Sequence, residues 1–312
     1  MVTFHLAEDE VNKPVIFTRQ KISPRSNKES EYHFTEGFKV TDDVKAAFDK
    51  NGYVIIRSLL SGEETRKLTE ALESDEGVKT KSYGRDDTGG RKTKTVLWNN
   101  VGNDITGVVA RTEKVAGTFE QLLGGEVYHY HSKVIMKEAR TGGAHLWHQD
   151  YGYWYENGCM YPNMGTVWIA VDKADRGNGC LKIIPGSHRA GRVDHVRVGD
   201  QAGADLERVA ELEKALGLFH VEIDPGDALF FHSNILHRSD QNSSDRRRWA
   251  FLVAYNRADN NPVYKHHHPQ YTPLSKLPNA AILECSTVTD LTGKDFFSLD
   301  RDFSLGSLDK KA

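Results

Sequence analysis

Apolar positions recur at helical spacing through the first 125 residues and then give way to short, dense runs of β character. Segment 41–52, "TDDVKAAFDKNG", predicts a helix: Thr41 is placed to cap it, two acids fill its first turn, and Gly52 ends it. "YVIIRSLL" (53–60) follows as a strand. Ser61, with Glu64 three residues on, gives the capping-box pattern that opens a second helix over 61–74. Segment 82–95, "SYGRDDTGGRKTKT", reads as a loop, and 104–124 as one continuous helix stopped by Gly124. From 126 onward, "EVYHYHSKVIMKEA", "HLWHQDYG", "GTVWIAVDKA", "CLKIIPGS", "LFHVEIDPGDALFFHS" and "RRWAFLVAYNRA" are β-rich runs punctuated by Gly, Pro and Asn. Such spacing predicts an antiparallel barrel or double-sheet roll. One helix, over 205–217, interrupts it. The expected layout is a single domain over 1–312: an irregular arm (1–40), a helical support (41–125), the β core (126–257) and a loop-rich tail (258–312).

Composition narrows the functional classes. The 312 residues suffice for a sizeable core, and barrels and sandwiches of this order occur as single units. Lys plus Arg number 41 against 44 Asp plus Glu, a net charge of −3, which argues against nucleic acid or an anionic membrane as partner. No apolar run approaches the ~20 residues of a membrane span. The polar, acidic start "MVTFHLAEDEVNKP" lacks the features of a signal peptide. Cys159, Cys180 and Cys285 form no CxxC and are expected to be reduced thiols, so the expected location is cytoplasmic.

The candidate chemistry begins at "HLWHQDYGYWYENG" (145–158). His148 and Asp150 stand two apart, and on one strand both would point from the same face. By themselves they read equally as a buried polar pair or as two metal ligands. A third candidate ligand, His237, sits on the short strand "NILHRS" beyond the turn "PGD". Two histidines and a carboxylate in this arrangement make a facial triad, which leaves one octahedral face open and marks non-haem iron(II) oxygenases. Arg248 follows His237 by eleven residues on the next strand. Its planar fork suits bidentate capture of a dicarboxylate such as 2-oxoglutarate.

Four stretches carry a wider likeness: "WHQDYG", "NGCLKIIPGSHR", "PGDALFFHSNILHRSDQN" and "RRRWAFLVAYN". In order and spacing, over about 50–260, the chain resembles the phytanoyl-CoA dioxygenase family of iron(II)/2-oxoglutarate oxygenases. The fold this implies is mainly β with flanking helices, a double-stranded β-helix (cupin-like jelly roll). "HSKVIMK" with "WHQDYGYWYENG" looks closer to the ectoine-hydroxylase-like members than to the acyl-CoA enzyme, although Gln149, Tyr151 and Gly152 replace the Ser, Phe and Glu of the ectoine pattern. The resemblance implies iron held by His148, Asp150 and His237, with 2-oxoglutarate and dioxygen as cosubstrates. It places Arg248, helped by Ser239, on the distal carboxylate of 2-oxoglutarate, and has the strand "HSKVIMK" line the site, so that His131 and Lys133 are candidates for contacting cosubstrate or substrate.

The remaining residues are weighed against plainer roles. His145, His188 and His232 are expected to be ordinary core or surface groups, and the run His266–His267–His268 a solvated one. Of Arg246, Arg247 and Arg248, only alternate members can face inward. Tyr151, Trp154 and Trp168 are candidates for a substrate cage, since aromatic faces supply pocket area and hold cations. The function these readings favour is hydroxylation of a small polar or zwitterionic metabolite, with release of succinate and CO₂. A hydroxylase of an acyl-CoA or lipid-like substrate and a non-catalytic metal-binding cupin remain the alternatives, and the oligomeric state is open.

Overall fold

A computed structural model describes residues 27–309, so most of the expected N-terminal arm lies outside the described residues. Within the described part of that arm, β1 (Glu31–His33) pairs in parallel with β2 (Tyr53–Arg57). Between them runs α1 (Asp42–Asn51), whose first turn is capped by the Thr41 hydroxyl and whose end is Gly52 in the left-handed region. In α2 (Gly62–Ser74) both halves of the capping box form between Ser61 and Glu64. A short α3 (Glu76–Thr80) follows.

Two expectations fail in the next stretch. The expected loop at 82–95 is a hairpin, β3 (Tyr83–Asp86) and β4 (Lys92–Trp98). Its turn is built by Asp87, whose carboxylate accepts from the backbone of Gly89, Arg91 and Ala144. The expected single helix over 104–124 is broken into α4 (Ile105–Arg111), a π-turn (Glu113–Gly117) and α5 (Thr118–Leu123). Thr112 is extended at the break and bridges Leu277 from the tail, so a tertiary contact overrides local helical preference there.

The β core comprises β5 (Val127–Lys137), β6 (His145–His148), β7 (Met164–Ala170), β8 (Leu181–Ile183), β9 (His195–Val198), β10 (Gln201–Ala204), β11 (Phe219–Val221), β12 (Ala228–His232), β13 (His237–Ser239) and β14 (Arg248–Arg257). After β6 comes the short α6 (Asp150–Trp154), and α7 (Leu206–Leu216) follows β10 where a helix is expected. The tail adds α8 (Ala281–Glu284) and α9 (Phe303–Asp309). One sheet runs β1-β2-β12-β7-β14-β5-β4-β3 and faces a smaller one, β11-β8-β13-β6, with β9–β10 as a separate hairpin. This is the expected double-sheet jelly roll.

The large sheet is buried on both faces. Val54, Ile56, Phe230, Phe251 and Val253 pack with Phe48 of α1 and Leu68 of α2. Their sequence neighbours Tyr53, Ile55, Leu229, Phe231, Ala250 and Leu252 pack with Leu181 and Ile183 of the small sheet. Strands with both faces covered read as unbroken apolar runs, which is why "YVIIR" and "AFLVAY" do not alternate. Among the described residues no helix is long and apolar enough to cross a membrane.

Candidate active site

The register of the small sheet brings the first two candidate ligands together. His148 ends β6 and lies directly opposite His237 at the start of β13, with ring centroids 4.1 Å apart. Each imidazole engages its Nδ1 with a backbone carbonyl two residues back, Leu146 at 2.7 Å and Ile235 at 3.0 Å. Donation from Nδ1 fixes the tautomer that turns a lone pair on each Nε2 toward the same point. Burial lowers the pKa of both rings, which favours the neutral, ligating form.

Asp150 reaches that point by a route different from the expected one. Rather than sharing a strand with His148, it is the first residue of α6, and the chain turns at Gln149. The turn is held by the buried Gln149 side chain, which donates to the carbonyls of Gly191 and Asn234 and accepts from Val193. The Asp150 Oδ1 then stands 3.8 Å from His148 Nε2 and 4.0 Å from His237 Nε2. One donor atom from each of the three residues lies within 4.8 Å of the others, and no other such trio occurs among the described residues. Burial opposes the Asp150 charge, but Lys133 and a 2.9 Å hydrogen bond from Thr166 help hold its carboxyl well below the usual range. The Tyr153 hydroxyl donates to the other oxygen, Oδ1, at 3.0 Å. Sequence reasoning missed Thr166 and Tyr153; only the i, i+3 helical spacing of Tyr153 from Asp150 hinted at the second.

His148 and His237 open into a cavity of about 100 Å³. At one end lies Arg248, 1% exposed, its guanidinium 5.3 Å over the Trp168 ring. Its Nε and Nη1 are buried without a hydrogen-bond partner, and burial pushes its pKa down to about 10, so it stays charged at neutral pH. Ser239, on β13, lines the same end. Trp168, expected in a substrate cage, therefore belongs to the Arg248 end.

Register separates the β5 candidates. Lys137 lies opposite Arg248, Lys133 opposite Leu252, and His131 opposite Ala254. At ~3.3 Å per residue His131 stands roughly 20 Å from the Arg248 level. A five-carbon diacid anchored on Arg248 cannot span that, so His131 is corrected from the cosubstrate end to the far end of the cavity. Lys133 sits between; burial lowers its pKa, and the Asp150 carboxylate opposes that lowering only in part. Trp154 meets His131 edge-on at the far end. Tyr151 does not line the cavity; it packs in the cluster of Tyr128, Tyr130 and Met164, with its hydroxyl donating to the Cys159 carbonyl.

The tail closes the far end. His267 and His268, expected in a solvated run, line the cavity; His268 is buried, stacks on His131 at 4.8 Å and pairs through Nδ1 with Asn99. Arg85 from β3, with Asp302 and Ser304 from the tail, completes the wall. The turn residues "DDTGG" beside alternating polar and apolar positions were the available sign of the hairpin that carries Arg85. His145 also lines the cavity, whereas His188 and His232 pack against each other away from it. Arg246 and Arg247 turn outward onto Asp175 and onto Asp172 and Glu73.

Known proteins repeat this architecture. Residues 48–250 match the family described as phytanoyl-CoA dioxygenase. The chain is 32% identical over 238 residues to an L-proline trans-4-hydroxylase of Streptomyces griseoviridis, spanning 71% of this chain and 88% of that one. It is 26% identical to an ectoine dioxygenase of Bordetella parapertussis over 70% of this chain and 76% of the relative. Its fold superposes with a TM-score of 0.66 on EctD from S. alaskensis, solved with 2-oxoglutarate and 5-hydroxyectoine, at 21% identity, covering 84% of this chain and 97% of that one. With most of the jelly roll and all three candidate ligands inside the matched residues, the chain belongs to the phytanoyl-CoA dioxygenase family and is an iron(II)- and 2-oxoglutarate-dependent dioxygenase.

Proposed function

We propose that this chain hydroxylates a small zwitterionic metabolite, of the amino- or imino-acid class. His148, Asp150 and His237 would hold the iron, and Arg248 with Ser239 the distal carboxylate of 2-oxoglutarate. The donor set fits: two neutral imidazoles and one carboxylate suit iron(II) and leave one coordination face open. The observation that carries the reading is the Arg248 guanidinium, buried and charged with two nitrogens unpartnered, at one end of the cavity that His148 and His237 line. A buried cation without a partner is costly, and a carboxylate supplied by the cosubstrate removes that cost.

When bound, iron with 2-oxoglutarate and dioxygen supplies an oxidant that hydroxylates a C–H bond as succinate and CO₂ leave. The residues of the chain do the rest. Thr166 and Tyr153 fix the Asp150 carboxylate, Trp168 buttresses Arg248, and Trp154 with His131 walls the space where a substrate sits. The L-proline trans-4-hydroxylase and ectoine dioxygenase relatives support a compact zwitterion as substrate. The Arg246–Arg247 run lends no support to an acyl-CoA phosphate site, since both side chains are already engaged by carboxylates.

The test is a succinate-release screen with the iron-loaded protein. L-Proline, ectoine and other free amino and imino acids are set against long-chain acyl-CoA. Stimulation by one or more zwitterions and none by acyl-CoA is expected; the reverse outcome defeats the reading. Anaerobic addition of iron(II) and 2-oxoglutarate should independently give a weak visible absorption band, which a non-catalytic metal-binding cupin would not show.

A further inference from the structure

On the β3 side of the cavity, three strands from β14 and Arg248 in the sheet order, stands one charge of each sign that iron and 2-oxoglutarate leave unused. Arg85 projects from β3 and Asp302 from the residue before α9, and both line the wall. Their contact is a single one, Arg85 Nη2 to Asp302 Oδ2 at 3.2 Å, and not the paired fork of a bidentate arginine–carboxylate bridge. A second Arg85 donor goes to the Asp200 carbonyl at 2.6 Å. Five N–H donors on a guanidinium leave capacity for a ligand.

Both groups are held in place. The tail crosses β4 through hydrogen bonds from Phe297 to Leu97 and from Asn99 to Asp295. Ser304 is tied to Asn157 at 2.8 Å, and Asp302 Oδ1 accepts from the Leu305 amide at 3.1 Å. On the other side, the Asp87 turn fixes the hairpin that carries Arg85. Charged groups positioned by such supports are preorganised for a ligand.

The pair shares its cavity with Tyr153 and with two of the metal ligands, His148 and His237. Tyr153 donates to Asp150, and the same phenol is influenced by the charges of Arg85 and Asp302. Between pair and ligands the cavity wall is aromatic, with Tyr83, Tyr153, Trp154 and Phe297.

From this geometry we infer that Arg85 and Asp302 form the clamp that selects the substrate: Arg85 takes its carboxylate and Asp302 its ammonium, turning the carbon skeleton toward His148, Asp150 and His237. The inference rests on the proposed zwitterionic substrate and names the residues that recognise it. A zwitterion bridges the two charges and leaves neither unpaired. A simple acid would repel Asp302 and leave it without a cation, and a simple amine would do the same to Arg85, so the clamp rejects both. A site built around a polar partner discriminates strongly against analogues that lack it.

The experiment has two arms. In the first, wild-type protein is screened with L-proline and other amino and imino acids. Any that stimulates succinate release is compared with its carboxamide, which lacks the anion, and its deaminated analogue, which lacks the cation. Each analogue is expected to lose kcat/KM by about 100-fold or more, the scale for leaving a buried charged group unpaired. In the second arm, Arg85→Gln should raise KM for the zwitterion by about 30-fold, with partial recovery in Arg85→Lys, and Asp302→Asn should raise it by about tenfold. Asp302→Asn should also shrink the penalty on the deaminated analogue, while KM for 2-oxoglutarate stays within about twofold in each variant. Thermal melting and the absorption band with iron(II) and 2-oxoglutarate check that each variant is folded. Should Arg85→Gln fail to fold, Asp302→Asn and the wild-type analogue series decide. An active zwitterion with unchanged KM in the folded variants, or with analogues that work equally well, overturns the clamp and leaves the proposed function standing. Stimulation by acyl-CoA and by no zwitterion overturns both.

Discussion

Arg248 shows at the scale of one residue how function sets against stability. Two of its nitrogens are buried without partners, and the neighbouring Lys137 amine, itself directed at the Asp240 carbonyl, has its pKa pushed well below the usual lysine range by burial and by the Arg248 charge. Replacing a buried, unpaired charge by an apolar side chain of similar volume removes its desolvation cost. Arg248→Met is therefore expected to raise the melting temperature of the ligand-free protein, by the equivalent of about 1 kcal/mol or more, while abolishing stabilisation by 2-oxoglutarate. Differential scanning fluorimetry with and without the diacid reads both effects; a destabilised Met variant would mean that the guanidinium is satisfied inside the fold. Arg248→Lys keeps the charge and loses the fork. KM for 2-oxoglutarate should then rise about tenfold or more, with iron affinity little changed, as measured by steady-state kinetics and iron(II) titration.

Elements, more than single residues, deliver Asp150. The start of α6 lies against the His195 ring of β9: a Cβ at Gly152 would overlap that ring, and His195 Nε2 accepts the Gln149 amide at 2.9 Å. Gly152→Ala must push the helix off that ring. It should cost about 1–3 kcal/mol of stability, as overpacking does, and weaken iron(II) binding because Asp150 moves with the helix. Wild-type iron affinity in that variant would show that the helix start is not held by the ring. The β3–β4 hairpin depends similarly on Asp87. Although burial opposes its charge, hydrogen bonds from the Ala144 amide, Gln241 and the turn amides bring its pKa down from 3.8 to about 2. A depressed carboxylate contributes stability above its unfolded pKa and loses it as pH falls through the folded value. Asp87→Asn should thus cost about 2 kcal/mol, constant from about pH 7 to pH 5, with the gap closing only between about pH 4 and pH 2. Urea unfolding at several pH values gives the comparison, and a gap that closes above about pH 5 would contradict it.

The whole molecule keeps many histidines buried and neutral. Burial lowers His129 and His195 from 6.5 to about 4 and His232 to about 3. His195 cannot take a proton and still accept from Gln149. Below about pH 6.5 the unfolded chain binds protons that the fold refuses, so stability falls as pH drops, by up to about 1.4 kcal/mol per pH unit for each such histidine. Three together remove up to roughly 4 kcal/mol per unit, or at most about 10 kcal/mol by pH 4, a loss comparable with a typical stability of about 5–15 kcal/mol. Denaturation midpoints of the metal-free protein should decline steadily from about pH 6.5; a flat profile down to about pH 5 would refute the account.

Periodicity, capping residues and spacing were enough to determine the β core, the helices beginning at Thr41 and Ser61, the three candidate iron ligands and Arg248. Each of those signals is local, or is a motif whose parts lie in order along the chain. Only the tertiary structure decided how the parts converge. His148 meets His237 because two strands pair in one register, and Asp150 joins them through a turn held by Gln149, a contact that no local pattern encodes. The substrate side was the least legible: Arg85 is brought to Asp302 across 217 positions of chain, and His131 to His268 by a tail whose own sequence has no strong periodicity. A local pattern records which face of an element is apolar. It carries no record of which distant segment will cover that face, because that choice is made by packing across the whole fold.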